Sequence, residues 1–399
     1  MLGVIATLML TLYLFSERPT KDKNNRPKKT TIDCYSQEKL ALEYLNKLRQ
    51  GAGLVPFLSE VSLKKSAKNH ALYLVLHQTY GHHEESNKTG FTGSFASERI
   101  QYEGYHTSLV IENVSANNRN YKESIDGLFA AIYHRFAFLD FQGDEIGIGI
   151  EQNSQSKDCT AFVYNIGSHS LNQLYKTTRK PSEKSLSTAL NKHKNNNSKI
   201  ITYPFANQTN VPPAFFDELP DPLPDYDVSG FPVSLSFNQA HFKQIDLLSF
   251  TLLDAEMKPL KTINYNYKSD PNRRLDKFSF VLFPVKRLKW NSLYHVQFLA
   301  KADNKLISRK WSFQTTKPKF PLHIIENNNS PITIKINQPN LFYFPPHTAR
   351  DLLHNVRYNS NFKMEFLDKN TIKLTALHLS DENIHLKIGT HDLYLNIKE

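Results

Sequence analysis

Two cysteines in 399 residues are too few for a disulfide scaffold, and neither sits in a CxxC or Cys/His spacing that would suggest a zinc finger. Glycine is scarce at 14 and proline stands at an average 20, so there is no low-complexity bulk and no collagen-like repeat. No apolar run approaches the ~20 residues of a membrane span, which excludes a polytopic membrane protein. What is present is ordinary globular material: 40% apolar, 22% charged and 12% aromatic residues. A chain this long, at ~150 residues per domain, is expected to form two or three domains.

The formal charge of +11 is unevenly placed. Residues 1–35 carry six basic residues against three acidic ones, and residues 171–200 carry seven against Glu183 alone. These two stretches hold most of the excess. They read as a basic tether and a Lys/Asn-rich linker, able to attract polyanions loosely. Nucleic acid is not an expected partner, because no recognition motif accompanies the charge. Ahead of the first tether, Leu2–Phe15 is apolar apart from Gly3, Thr7 and Thr11. That length suits the hydrophobic region of a signal peptide. No Lys or Arg precedes it, no small-x-small cleavage site follows it, and the basic residues lie after it. Residues 1–16 are therefore read as a signal peptide or an uncleaved membrane anchor. The rest of the chain is expected to be exported, to a periplasmic, extracellular or membrane-anchored position, with membrane contact only through this segment.

Ser36–Gln50 has apolar residues at Ala41, Tyr44, Leu45 and Leu48, the i, i+3, i+4, i+7 pattern of a helix capped by Ser36. A second helix, capped by Ser59, carries Leu63, Ala67, Ala71 and Leu74. A third lies near Ser97–Glu103 and a fourth over Tyr121–Tyr133. Strands are expected at Glu145–Glu151 and Thr160–Ile166. Helices first and strands paired late define an α+β domain over residues 36–170. After the linker at 171–200, prolines recur from Tyr203 to Pro232, which suggests an extended arm lying against a domain. From Val233 the period becomes two, with six short strands ending in Trp311-x-Phe313-x-Thr315. That spacing points to a β-sandwich, so residues 201–318 are read as the arm plus a sandwich. Residues 319–399 read as a small β-rich domain, with a helical turn expected at Thr348–His354.

Histidines and acids concentrate in the first domain. Its motifs run in order from Leu45-Asn46-x-x-Arg49…Gly53-Leu54-x-Pro56 through Ala67-x-x-His70-Ala71 to Gly81-His82. Gly90-Phe91-Thr92-Gly93, Glu98-Arg99, Gly104-Tyr105 and Glu112-Asn113 follow. His134-Arg135 and Ile146-Gly147-Ile148-Gly149 complete the set. In this order and spacing the chain resembles the bacterial form of the CAP superfamily, the cysteine-rich secretory, antigen 5 and pathogenesis-related proteins. The resemblance covers about a third of the chain. The module after it resembles the immunoglobulin-like domains that follow bacterial CAP domains.

The resemblance implies an α-β-α sandwich with a cleft lined by His82, Glu112 and His134. The family's second cleft glutamate has no secure counterpart here; Glu123 and Asp126 are the candidates, and His83 could replace His82 if the register differs by one. Two imidazoles and a carboxylate make the outline of a site for zinc, copper or another divalent ion. Without metal, the same groups could relay protons or only fix one another's tautomers. No motif places a Ser or Cys as a nucleophile. Cys34 and Cys159 bracket the domain, as a candidate disulfide or as two buried thiols. His70 is expected to be a satisfied core histidine, and His77 and His106 surface residues. Glu98-Arg99 is expected to form an internal salt bridge or loop anchor. The leading functional expectation is an exported protein whose cleft binds a divalent metal or a small apolar ligand, with β modules docking to an envelope component. A metal-assisted hydrolase of peptide or phosphodiester bonds and a non-catalytic adhesive protein are the alternatives.

Overall fold

The computed structural model describes residues 31–156, 159–326, 330–353, 361–380 and 382–399. The apolar segment Leu2–Phe15, most of the basic tether and His354 lie outside the described residues. The first domain contains α1 (Cys34–Ala52), β1 (Leu58–Ser59), α2 (Val61–His77), α3 (Ala96–Tyr102), β2 (Ile111–Ala116), α4 (Tyr121–Ala130), α5 (Ile132–Phe138), β3 (Glu145–Gln152) and β4 (Thr160–Gly167). Its sheet has the order β1-β3-β4-β2. The cap of α1 is Asp33, whose carboxylate accepts from Ser36 N, rather than Ser36 itself. Glu60, not Ser59, caps α2 through Leu63 N. The expected fourth helix is two, because Ala131 takes an extended ψ of 114° between α4 and α5.

Alternation along the sheet explains the layering. Ile146, Ile148, Ile150, Phe162, Tyr164 and Ile166 pack with α1, α4 and α5, while Ala161 and Val163 pack with α2. The glycines of Ile146-Gly147-Ile148-Gly149 face α2. A Cβ on Gly147 would lie 2.0 Å from the Leu63 carbonyl carbon, and one on Gly149 would lie 2.3 Å from that of Ala67. The motif therefore records a helix lying directly on a strand, where no side chain fits. The same alternation separates the two cysteines. Cys34 packs on the α1 side and Cys159 among the α2-facing residues, and both are free thiols. The candidate disulfide is not formed.

Residues 171–200 are not a structureless linker. They contribute to a helical hairpin of α6 (His169–Thr177) and α7 (Glu183–Lys194). Ser182 caps α7 through Ser185 N, and Lys192, His193 and Lys194 occupy its last turn, where cations favour the helix carbonyl end. The apolar stripes of these helices are short, Leu171, Leu174 and Tyr175 on α6 and Leu186, Ala189 and Leu190 on α7. Only Leu171, Asn172 and Ala189 are buried, and the surrounding Lys and Asn residues mask the 3.6 period. The hairpin is fastened at its end by Asn197, whose Oδ1 accepts from Val55 N at 2.7 Å and whose Nδ2 donates to Phe141 O at 2.9 Å.

The chain then forms β5 (Ile200–Tyr203), β6 (Gln208–Val211), β7 (Ala214–Phe215), β8 (Ser229–Gly230), β9 (Val233–Phe237), β10 (Ile245–Leu253), β11 (Thr262–Tyr265), β12 (Ser279–Pro284), β13 (Leu293–Ala302) and β14 (Lys305–Thr315). Two four-stranded sheets, β10-β13-β14-β6 and β11-β12-β9-β5, make the expected sandwich. The beginning of the proline-rich stretch is thus strand, not arm. Trp311 and Phe313 enter the core as expected, and Trp311 Nε1 donates to Pro204 O at 2.9 Å. The remaining arm runs from Ala214 to Gly230 and buries Phe215, Leu223 and Val228.

The sandwich core is continuous with that of the first domain: one cluster joins Leu45, Phe129 and Phe138 to Tyr203, Phe231, Phe237 and Phe298. Arg135 crosses the junction fully buried, donating to Phe129 O at 2.6 Å, Pro232 O at 2.8 Å and Ser234 Oγ at 3.2 Å.

The last module holds β15 (Leu322–Ile324), β16 (Ile332–Lys335), β17 (Pro339–Tyr343), β18 (Phe362–Asp368), β19 (Thr371–Ala376), β20 (Ile384–Ile388) and β21 (His391–Lys398). Its sheets, β15-β17-β19-β18 and β16-β21-β20, enclose a separate core around Phe342, Ile372, Leu374 and Leu395. The described part of Thr348–His354 is a turn rather than a helix. Asp351 organises it by accepting from His347 N and Thr348 N.

Candidate functional site

The site is built around a buried arginine. Arg99, on α3, sends Nη2 to both oxygens of Glu112 at 2.8 Å and Nη1 to His82 O at 2.9 Å. Its Nε lies 3.7 Å from Glu84 Oε1. Glu112 stands on β2, and its Oε1 also meets His82 Nδ1 at 2.9 Å. Burial alone would push the Glu112 carboxyl up. The Arg99 guanidinium, with His70 and His82, outweighs it and holds the group well below the usual carboxylate range. Asn165, with its amide turned to suit its neighbours, donates to Glu112 Oε2 at 3.0 Å.

A second buried pair backs the first. His70 Nδ1 meets Glu84 Oε1 at 2.8 Å, and His70 Nε2 meets Gly81 O at 3.0 Å. Glu84 Oε2 accepts from Thr92 N at 2.7 Å, which ties the loop around His82 into its fold. Gly93 is required in that loop. It has φ +155°, and a Cβ there would lie 2.9 Å from Arg99 N. His70 is the satisfied core histidine that its place on α2 suggests. Arg99 is indeed an internal anchor, but its partners are Glu112 and Glu84. Glu98 instead accepts from Ser94 N at 2.8 Å.

His82 and Glu112 open onto a cavity of about 410 Å³. One wall comes from the first domain and includes His83, Phe95, Ser97, Phe136 and Phe141; the other comes from the sandwich and includes Ser236, Phe237, Arg274, Leu275 and Asp276. The sandwich wall is docked by Tyr133, whose hydroxyl donates to the buried Asp270 and accepts from Asn272 Nδ2. Asp270 Oδ2 accepts from Arg274 N at 2.6 Å and Leu275 N at 2.9 Å, which fixes the loop that borders the cavity.

The other expected cleft residues are placed elsewhere. His134 is fully buried, is not a lining residue of the cavity, and has its Nδ1 3.4 Å from Glu218 Oε1. Glu123 pairs with Arg119 at 3.0 Å. Asp126 accepts from the Tyr44 hydroxyl at 2.6 Å and pairs with Lys122. His83 is an exposed rim residue, edge-on to Phe95. These residues do not fit a metal ion: Glu112 is already engaged by Arg99, His82 and Asn165. Among the described residues no three His, Cys, Asp or Glu side chains are grouped to hold one.

Glu218 was invisible to sequence reasoning. It lies in the arm, outside every motif, yet its carboxylate accepts from Ile132 N and from Tyr133 N at the start of α5. Burial pushes its pKa well up, against the pull of those two N–H groups and Arg135. An acid whose folded pKa is raised holds its proton longer than in the unfolded chain. Its contribution is therefore full below the ordinary carboxylate pKa and lost as pH rises through the folded value. Melting temperature measured against pH should fall over that window in the native chain. In Glu218→Gln, which keeps an acceptor for α5, that component should vanish; an unchanged profile would mean that another group titrates.

Residues 42–166 match the model of the cysteine-rich secretory protein family, CAP, so the chain carries a CAP domain followed by a β-rich region. Among solved structures, similarity is found to an outer surface protein of Borrelia burgdorferi, with 19% identity, 35% of this chain and 98% of that one covered, and a TM-score of 0.31. An extracellular SCP-domain protein of Bacillus anthracis is 15% identical over 34% of this chain and 41% of its own, with a TM-score of 0.29. A cysteine-rich secretory protein of Staphylococcus aureus is 18% identical over 36% and 42%, with a TM-score of 0.25. The chain thus spans about two fifths of the last two. No curated protein sequence matches the chain.

Proposed function

We propose that this chain is an exported binding protein that holds a small ligand between its CAP domain and its immunoglobulin-like sandwich. The observation that carries the reading is the cavity itself. It has the size of a small-molecule site, aromatic walls and a few fixed polar groups, and it lies where two modules meet. The His82–Glu112 pair is set in place by Arg99 before any ligand arrives, which limits the ordering cost of binding. Export is supported by the CAP domain and by the apolar Leu2–Phe15 segment. The extracellular and outer-surface descriptions of the B. anthracis and B. burgdorferi proteins agree with it. Among the described residues, no helix is long and apolar enough to cross a membrane.

The test is a fragment library screened by ligand-observed NMR against the full chain and against Ser97→Trp. Ser97 is a half-buried lining residue, so the indole should fill the space without disturbing a core. Fragments that bind the native chain and are lost in a variant of unchanged melting temperature support the reading. Binding that survives the block would overturn it.

A further inference from the structure

We infer that the ligand is a small organic anion, with an apolar body among Phe95, Phe136, Phe141 and Leu275 and an acidic group at Arg274. This rests on the reading of the cavity as a ligand site and specifies what that site selects.

The acids around the cavity have partners within the protein. Glu112 is held by Arg99. Asp140 Oδ1 accepts from Gln142 N at 2.7 Å and Gly143 N at 2.9 Å. Asp276 accepts from Phe278 N at 3.0 Å and Gln239 Nε2 at 2.9 Å. Arg274 differs. Its backbone N–H is fixed on Asp270, while its half-buried guanidinium makes no hydrogen bond or ion pair with the described residues. A planar fork of donors beside an apolar wall suits a carboxylate carried on a hydrophobic body.

A second observation points the same way. The end of α7 lies near this cavity: Lys194 interacts electrostatically with Asp140 and Asp276, and Asn197, just beyond the helix, bonds the carbonyl of the lining residue Phe141. The segment's Lys176, Arg179, Lys180, Lys184 and Lys192 are exposed, with Glu183 the segment's only acid. Such an excess of positive charge on the hairpin adds to the field that draws anions toward the protein.

The experiment compares 4-phenylbutyrate with its near-isosteric neutral amide, 4-phenylbutyramide, by NMR titration of the full chain. The acid should bind roughly ten-fold or more tightly than the amide, as one charge-assisted contact implies. Arg274→Gln should bring the two affinities together by weakening the acid alone, Arg274→Lys should restore part of the preference, and added salt should slow association. Equal binding of both probes to the native chain would overturn the anion assignment while leaving the cavity as a ligand site. Failure of both probes to bind would overturn the cavity reading, and this proposal with it.

Discussion

A chain ending at Ser170, the expected boundary of the first domain, should give no cooperative thermal transition, whereas one ending at Thr316 should melt as a unit. The reason is the shared core. Phe129 packs against Tyr203 with centroids 4.7 Å apart and the rings tilted by 36°, Arg135 donates to Pro232 and Ser234, and Ile132 and Tyr133 pack with Phe215 and Leu223. Cutting after 170 uncovers several fully buried large side chains, each worth about 1.5–3 kcal/mol of burial. It also leaves the Arg135 guanidinium without the partners beyond Phe129. Against a typical total stability of about 5–15 kcal/mol, that loss is decisive. Differential scanning calorimetry of the two truncations checks it; a sharp transition in the shorter chain would show that the CAP domain closes its own core.

Arg99→Met should cost about 3–5 kcal/mol, the range for removing one partner of a buried ion pair. Methionine fills much of the arginine's volume but leaves Glu112 charged and buried without its main counter-ion, and it frees the His82 carbonyl. Chemical denaturation would give the loss. The pH profile would give its cause. In the native chain Glu112 has a depressed pKa, so its contribution is present above the ordinary carboxylate pKa and lost only as pH falls through the lower folded value. In Arg99→Met the carboxyl should protonate at higher pH, and acid unfolding should begin earlier. A double variant with Glu112→Gln should recover part of the stability, because no buried charge then lacks a partner.

The sequence carried most of the fold because periodicity and burial agree there. The α1 and α2 stripes each present one face to a core, and the Ile-Gly-Ile-Gly strand and Val233–Phe237, buried on both faces, set their large apolar side chains on one of them. The hairpin at 169–194 escaped because its stripes, Leu171, Leu174 and Tyr175 and then Leu186, Ala189 and Leu190, are only three residues each and bury little. Strand β2 was hidden behind Glu112-Asn113, polar residues that the sheet buries with Arg99 paired to the Glu112 carboxylate and the His134 carbonyl accepting from Asn113 Nδ2. At the site, the motif residues His82 and Glu112 did come together. His134 did not join them, since its neighbour Glu218 arrives from 84 residues further along the chain. A contact supplied by another module leaves no local spacing to read.

The last module is attached differently from the others. Its core is its own, and its described links to the rest include ion pairs: Arg287 with Asp368 at 2.7 Å, Lys369 with Asp217 at 2.9 Å, and Arg350 with Asp227 at 3.4 Å. The first two modules share hydrocarbon, and pulling them apart exposes it all at once. In the seam, the exposed Lys369–Asp217 and Arg350–Asp227 pairs can yield singly to water and counter-ions, while Arg287 is buried. A force drawing this module from the sandwich would meet separate polar links, among them the buried Arg287 held over Tyr343, rather than one continuous hydrocarbon core.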